Sequence, residues 1–286
     1  MKKKNKRSWG RRLAGFLIFL AALAAVILWI DWGNRTPTVS EFSVSSTEIP
    51  EAFSGFRIAQ ISDLHNAEFG KENKELLSLL SASEPGMIVL TGDLVDANRT
   101  DLEIAIAFCR ETVEIAPTYF VTGNHEAGLS SRRALMSALE EVGVTVLKNK
   151  RVEIKRDGEF ITLIGLHDPG FTPGEPDAVT REALTKCMKD EDGFTVLLAH
   201  RPELFDVYTE CGVDLVFSGH AHGGQFRLPF VGGLYAPTQG WFPTYDGGLY
   251  TAGGTTMVVS RGLGNSRFPF RINNRPEVVV VELKRT

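Results

Sequence analysis

A chain of 286 residues can bury a full core and hold one large or two small domains, and 43% hydrophobic with 23% charged residues is an ordinary globular balance. The net charge of −4 conceals an asymmetry: residues 1–32 carry seven Lys or Arg against Asp31 alone, which leaves −10 for the remainder. An acidic body argues against nonspecific nucleic-acid binding, so no nucleic-acid partner is expected.

Residues 1–12 form a basic segment, and Leu13 to Ile30 (LAGFLIFLAALAAVILWI) then runs 18 residues without a charge. At about 1.5 Å per residue this nearly spans a hydrocarbon core of about 30 Å. Trp29 and Trp32 suit the far interface, so residues 13–32 read as a transmembrane anchor. The preceding positive charges predict a cytoplasmic N-terminus, hence a single-pass protein of the cell membrane with its body on the extracytoplasmic side. Two readings compete. A cleaved signal peptide lacks a small-x-small site, because Asp31, Trp32, Gly33, Asn34 and Arg35 follow; a buried core helix fits poorly behind KKKNKRSWGRR. Arg11-Arg12 weakly resembles a twin-arginine export signal.

Residues 33–52, polar and carrying Pro37 and Pro50, read as a spacer, with the globular domain spanning 53–286. Short apolar runs at 56–62, 87–92, 118–123, 161–166, 195–200 and 214–220 read as buried strands, and 257–260 and 277–283 as two more. Helical patterns fall between them at 71–83, 101–115, 131–142 and 178–189, and such alternation implies an α/β fold. Cys109, Cys187 and Cys211 are far apart and odd in number, so core thiols rather than a disulfide framework are expected.

Five of the six histidines fall in five short motifs: ISDLH (61–65), TGD (91–93), TGNHE (122–126), LLAH (197–200) and GHAHGGQ (219–225). Each follows an apolar strand run, at the sheet edge where α/β sites form. Asp63 and His65, two apart, can point to one side if the strand persists. Asp93 follows a glycine that permits close backbone approach. With Asn124, His200, His220 and His222 the set holds seven candidate oxygen and imidazole ligands, suited to Mn, Fe or Zn. Seven exceed one four-coordinate ion and fit two divalent ions sharing a carboxylate. Such a pair can activate a bridging hydroxide for in-line attack at phosphorus.

The series Asp63-x-His65, Gly92-Asp93, Gly123-Asn124-His125-Glu126, lone His200 and Gly219-His220-Ala221-His222 resembles the calcineurin-like metallophosphoesterases over about residues 56–284. The loop after GHAHGGQ and RGLGNSRFPFR (261–271) look more like the membrane-anchored bacterial branch. The resemblance implies a four-layer α-β-β-α sandwich. It assigns Asp63, His65, Asp93 and His222 to one metal, and Asp93, Asn124, His200 and His220 to the other. It gives His125 the role of protonating the leaving oxygen or stabilising the transition state, and matches Asp96 to an acid that orients this histidine. Some members follow that acid with a phosphate-binding Arg. Here Ala97 follows, and Arg99 is the substitute candidate.

His167 and Asp168 read as turn residues. Glu126 reads equally as support for a ligand or as a solvated acid, and Gln225 as site edge or loop. The aromatic stretch 232–250 reads as a self-packed loop or as a lip that grips lipid or sugar. The sequence thus predicts a membrane-anchored phosphodiesterase acting on an envelope or lipid-linked phosphate ester. A phosphomonoesterase or pyrophosphatase, and a non-catalytic metal scaffold, remain as alternatives.

Overall fold

The computed structural model describes residues 3–189 and 193–286; residues 1 and 2 of the basic segment lie outside that range. The first helix, α1 (Lys3–Arg35), contains a stretch, Trp9–Arg35, long and apolar enough to cross a membrane, and none of its apolar window is buried in the protein. This excludes a core helix. An apolar window with none of its residues buried by protein calls for an apolar surrounding.

The rest of the chain alternates strands and helices. In order come β1 (Thr38–Ser46), β2 (Arg57–Ile61), α2 (Lys74–Ala82), β3 (Met87–Thr91), α3 (Leu102–Ile115), β4 (Thr118–Val121), the short α4 (Asn124–Gly128), α5 (Arg132–Glu141) and β5 (Thr145–Val146). The hairpin β6 (Lys150–Arg156) and β7 (Glu159–Gly165) leads to α6 (Pro176–Cys187), β8 (Thr195–Leu198), α7 (Phe205–Glu210) and β9 (Leu215–Ser218). Four two-residue strands, β10 (Arg227–Leu228), β11 (Gly232–Gly233), β12 (Tyr235–Ala236) and β13 (Gly240–Trp241), make two small ribbons. The chain closes with β14 (Gly248–Ala252), β15 (Thr255–Val259) and β16 (Glu277–Arg285).

Two six-stranded sheets result, ordered β1-β16-β2-β3-β4-β5 and β14-β15-β9-β8-β7-β6. Between them lies a core of Ile58, Val89, Leu163, Val196, Phe217 and Val279. The outer face of the first sheet packs on α2, α3 and α5 through Leu76, Phe108 and Leu139, and that of the second on α6 and α7 through Leu184 and Tyr208. This is the expected α-β-β-α sandwich. Strands such as MIVLT are apolar throughout because both their faces are covered. Cys109 and Cys187 are buried thiols, and Cys211 is a half-buried thiol.

Residues 33–52 are not a spacer. Gly33 to Arg35 complete α1, and β1 pairs in parallel with β16 from Thr38↔Glu277 to Ser46↔Arg285. Phe42 and Val44 enter the inter-sheet core, while the intervening residues are polar. Such alternation marks an edge strand and lacks the apolar run that reveals central ones.

Candidate metal centre

The parallel strands β2, β3, β4, β8 and β9 end at one edge, and each is followed by a motif. Asp63 and His65 follow β2, Asp93 follows β3, Asn124 and His125 open α4, His200 follows β8, and His220 and His222 follow β9. Asp63, His65, Asp93, His220 and His222 all adopt positive φ, between 47° and 65°. Left-handed conformations cost non-glycine residues about 1–3 kcal/mol each and persist where the surroundings over-determine them. Asp63 and His65 therefore converge through left-handed turns, not through the strand alternation their spacing predicted.

Two clusters form. In the first, Asp63 Oδ1 is 3.4 Å from His222 Nε2 and 3.9 Å from His65 Nε2, and the two Nε2 atoms are 3.2 Å apart. In the second, His200 Nε2 is 3.3 Å from Asp93 Oδ2, 3.2 Å from His220 Nδ1 and 3.3 Å from Asn124 Oδ1. Asp93 Oδ2 also lies 3.6 Å from His65 Nε2, so it stands between the clusters. Ligand atoms about 2.0–2.1 Å from a tetrahedral ion lie about 3.3 Å from each other, so the spacings and the mixed oxygen–nitrogen donors fit divalent metal. Six of the seven side chains are buried, and Asn124 is half-buried.

Burial lowers His65 to about 4 and holds His220 and His222 well below the usual imidazole range, so all three offer free lone pairs. Burial opposes charge on Asp93 as well, but His200, with His65, keeps its carboxyl well below the ordinary carboxylate range. His200 is the counterpart: burial disfavours its proton, yet Asp93 and then Asp63 raise it to about 10. Burial pushes Asp63 up to about 6, against the pull of His200. The buried carboxylates thus call for positive charge, which the His200 proton or a bound cation supplies.

A tight scaffold surrounds these groups. A Cβ on Gly219 would collide with Ser62 Oγ, and one on Gly92 would meet the Gly123 backbone nitrogen at 2.5 Å. The Ser62 hydroxyl donates to Asp63 Oδ2 at 2.6 Å, and the His200 Nδ1–H donates to the Thr91 carbonyl at 2.7 Å, which leaves Nε2 for a ligand. Glu126 is fully buried and accepts from the backbone N–H groups of Asp93, Val95 and Gly123, so it supports two motif loops and is no solvated acid. The Gln60 amide donates to Thr91 Oγ1 and to the Ser218 carbonyl, tying the sheets together below the site.

The His125 ring stands edge-on to that of His65, with centroids 4.5 Å apart. The Ala97 N–H donates to His125 Nδ1 at 3.0 Å, which places the hydrogen of the neutral ring on Nε2, 3.3 Å from Ser266 Oγ. Asp96 does not hydrogen-bond this histidine: its Oδ1 is 3.8 Å from Nδ1. Its carboxylate accepts instead from the Asn98 N–H and from Arg99. The local chain, folded back over 96–99, has given the Nδ1 position to a backbone donor. Arg99 also donates through Nη2 to the carbonyls of Asn265 and Ser266, with its side chain 63% exposed.

His167 lies apart from the clusters, bonded to Thr122 Oγ1 and stacked on Phe171. Asp168 caps the next turn and binds Arg201 at 2.6 Å. The Gln225 amide donates to the Phe270 carbonyl and joins two loops. Tyr235 packs on Trp241 and Tyr245 on Tyr250, so the aromatic stretch is partly self-packed, and Thr238 Oγ1 reaches within 3.4 Å of His220 Nε2. Three contributors escaped the sequence reading. Arg271, fully buried, donates to the carbonyls of Arg261 and Gly264 with its guanidinium 3.3 Å from His222 Nδ1. The Asn274 amide donates to the His222 carbonyl, and Gly264 packs on the Leu64 carbonyl. Only the folded loop brings these residues to the site, and no spacing rule would have marked them.

The calcineurin-like phosphoesterase family model matches residues 56–224. Over their full lengths the chain is 33% identical to the metallophosphoesterase YkuE of Bacillus subtilis (strain 168). It is 29% identical to the phosphodiesterase YaeI of Escherichia coli (strain K12), across 80% of this chain and 82% of that one. Protein TT1561 of Thermus thermophilus shares the fold, with a TM-score of 0.50 and 15% identity over 73% of this chain and 91% of that chain. Two sheets that bring carboxylates and imidazoles to one edge, in the order this family's model matches, make the chain a member of the calcineurin-like phosphoesterases and a hydrolase of phosphoric esters.

Proposed function

We propose that this protein is a membrane-anchored phosphodiesterase with two divalent metal ions, acting on an envelope or lipid-linked phosphate ester on the extracytoplasmic side. Asp63, His65, Asp93 and His222 would hold one ion, and Asp93, Asn124, His200 and His220 the other, with Mn, Fe or Zn as candidates. The observation that carries the reading is Asp93 Oδ2, 3.3 Å from a nitrogen of one cluster and 3.6 Å from a nitrogen of the other. When bound, the ions activate water and neutralise phosphate charge.

The chain's own groups do the rest. Asp93 stays ionised through His200 and His65. With Nδ1 accepting from the Ala97 N–H, His125 presents its Nε2–H to the site, placed to donate a hydrogen bond that stabilises charge on the leaving oxygen in the transition state. Asp96, 3.8 Å from Nδ1, makes no hydrogen bond to the ring and instead accepts from the Asn98 N–H in the turn whose Ala97 N–H holds it. Arg99, Arg201 and Arg271 are each bonded to carboxylate or carbonyl partners. The likeness to a phosphodiesterase supports a diester over a monoester substrate.

The test uses the full chain in detergent, stripped with chelator and reloaded with Mn. Bis-p-nitrophenyl phosphate should be hydrolysed faster than p-nitrophenyl phosphate, in a metal-dependent manner. Two bound ions with no turnover of either ester would overturn the reading. A faster monoester would overturn the diester preference alone.

A further inference from the structure

Outside α1, eight large apolar side chains are exposed among the described residues, and seven of them fall in two stretches, 228–242 and 268–270. Phe230 is 110% exposed, Trp241 72% and Phe242 64%; Val231 is exposed next to Phe230, and Phe268 and Phe270 are exposed in the second stretch. A soluble surface seldom gathers apolar groups in this way without a partner.

Both stretches belong to loops that border the candidate site. Thr238, between Phe230 and Trp241, lies within 3.4 Å of His220 Nε2, and Ser266, before Phe268, lies 3.3 Å from His125 Nε2. The loops are joined by Phe226, whose ring packs at 5.4 Å from that of Phe268 and 5.5 Å from that of Phe270, and by Gln225.

The second loop is also bonded to the end of the apolar helix. The Arg271 N–H donates to Asn34 Oδ1 at 2.7 Å, and the Asn34 amide donates to the Arg271 carbonyl at 2.9 Å. Arg275 stands 4.8 Å over the Trp32 ring and donates to the carbonyls of Thr36 and Pro37. Trp29, Trp32, Arg271 and Arg275 line a crevice of about 280 Å³ where helix and domain meet. Tryptophan with arginine at the end of an apolar helix is the composition of a bilayer interface.

We propose that these two loops form a membrane-docking rim. Phe230, Val231, Trp241, Phe242, Phe268 and Phe270 insert at the headgroup level of the bilayer that α1 crosses, and the metal site opens onto the lipid surface. The occupant is lipid rather than a protein, because the loop bearing Phe268 and Phe270 is hydrogen-bonded to the helix end that enters the bilayer. The inference rests on the membrane-anchored reading of α1 and gives that reading a substrate side: the ester is presented by lipid headgroups beside the anchor.

The chain has four tryptophans, so Trp9→Phe, Trp29→Phe and Trp32→Phe together leave Trp241 as the sole reporter in the full chain. The protein would be reconstituted into mixed phosphatidylcholine and phosphatidylglycerol vesicles, with and without bromine in the acyl chains. Emission from Trp241 should fall about two-fold in the brominated vesicles and shift to the blue, as for a ring buried at the headgroup boundary. Phe230→Trp in a chain stripped of all four native tryptophans should behave alike and guards against a local effect at position 241. A chain retaining only Trp29 reports on the anchor. Trp29 quenched with both rim positions unquenched overturns the rim and leaves the anchor standing. Trp29 unquenched as well overturns both.

Discussion

Glu126 gathers three backbone N–H groups onto one buried carboxylate, and those donors belong to two different motif loops. Glu126→Gln would turn an amide group toward donors that need acceptors. It should cost about 1–3 kcal/mol, read as a lower thermal midpoint, and weaken metal retention. Asp93 and His125 separate binding from chemistry. Asp93→Asn should lose both metal and turnover, whereas His125→Ala should keep its metal on elemental analysis while kcat falls about 10²–10⁴-fold. His167 gives the pH signature. Burial, with Lys148 nearby, lowers it to about 4 from the usual 6.5, so the unfolded chain binds more protons between those values. Stability is therefore whole above pH 6.5 and is lost as pH falls toward 4. His167→Gln should flatten that slope by about 1 kcal/mol in denaturant titrations, a figure reduced for its partial exposure. The ligand types were legible at this scale, because Asp, Asn and His recur at strand ends whatever the surrounding fold. The role of Asp96 was not, because a backbone N–H from Ala97 took the hydrogen bond expected of its carboxylate.

At the scale of elements, β1 changes where the globular unit begins. Its nine residues pair along the whole of β16, and Phe42 and Val44 fill the inter-sheet core. A chain starting at residue 53, the boundary read from the sequence, would expose that edge of β16 and leave a gap in the core. It should aggregate or melt early, while a chain starting at residue 36 folds; solubility and circular dichroism on the pair check this. The central strands were legible because both faces are covered and their sequences are apolar throughout. The edge strand was not, since its polar alternation resembles a linker. Helices α2, α3, α5 and α6 were legible to within a few residues, as each carries an apolar stripe against one sheet.

For the whole molecule, α1 and the domain are linked through Asn34, Trp32 and Arg275. The full chain should remain in the membrane fraction after an alkaline carbonate wash, and a chain starting at residue 36 should be released. Retention of the shorter chain under those conditions would argue that α1 is not the anchor; loose binding through the rim alone should not survive the wash.

By itself the sequence determined the apolar helix, the α/β alternation and the order of the candidate site motifs, because each of these is written in local composition and spacing. Which nitrogen of His125 carries the hydrogen, where Arg99 and Glu126 point, and that Arg271 sits behind His222 were decided only by tertiary structure. Those contacts join residues far apart in the chain. Buried polar groups must find partners wherever the packed loops place them, and no local pattern encodes which partner lies closest.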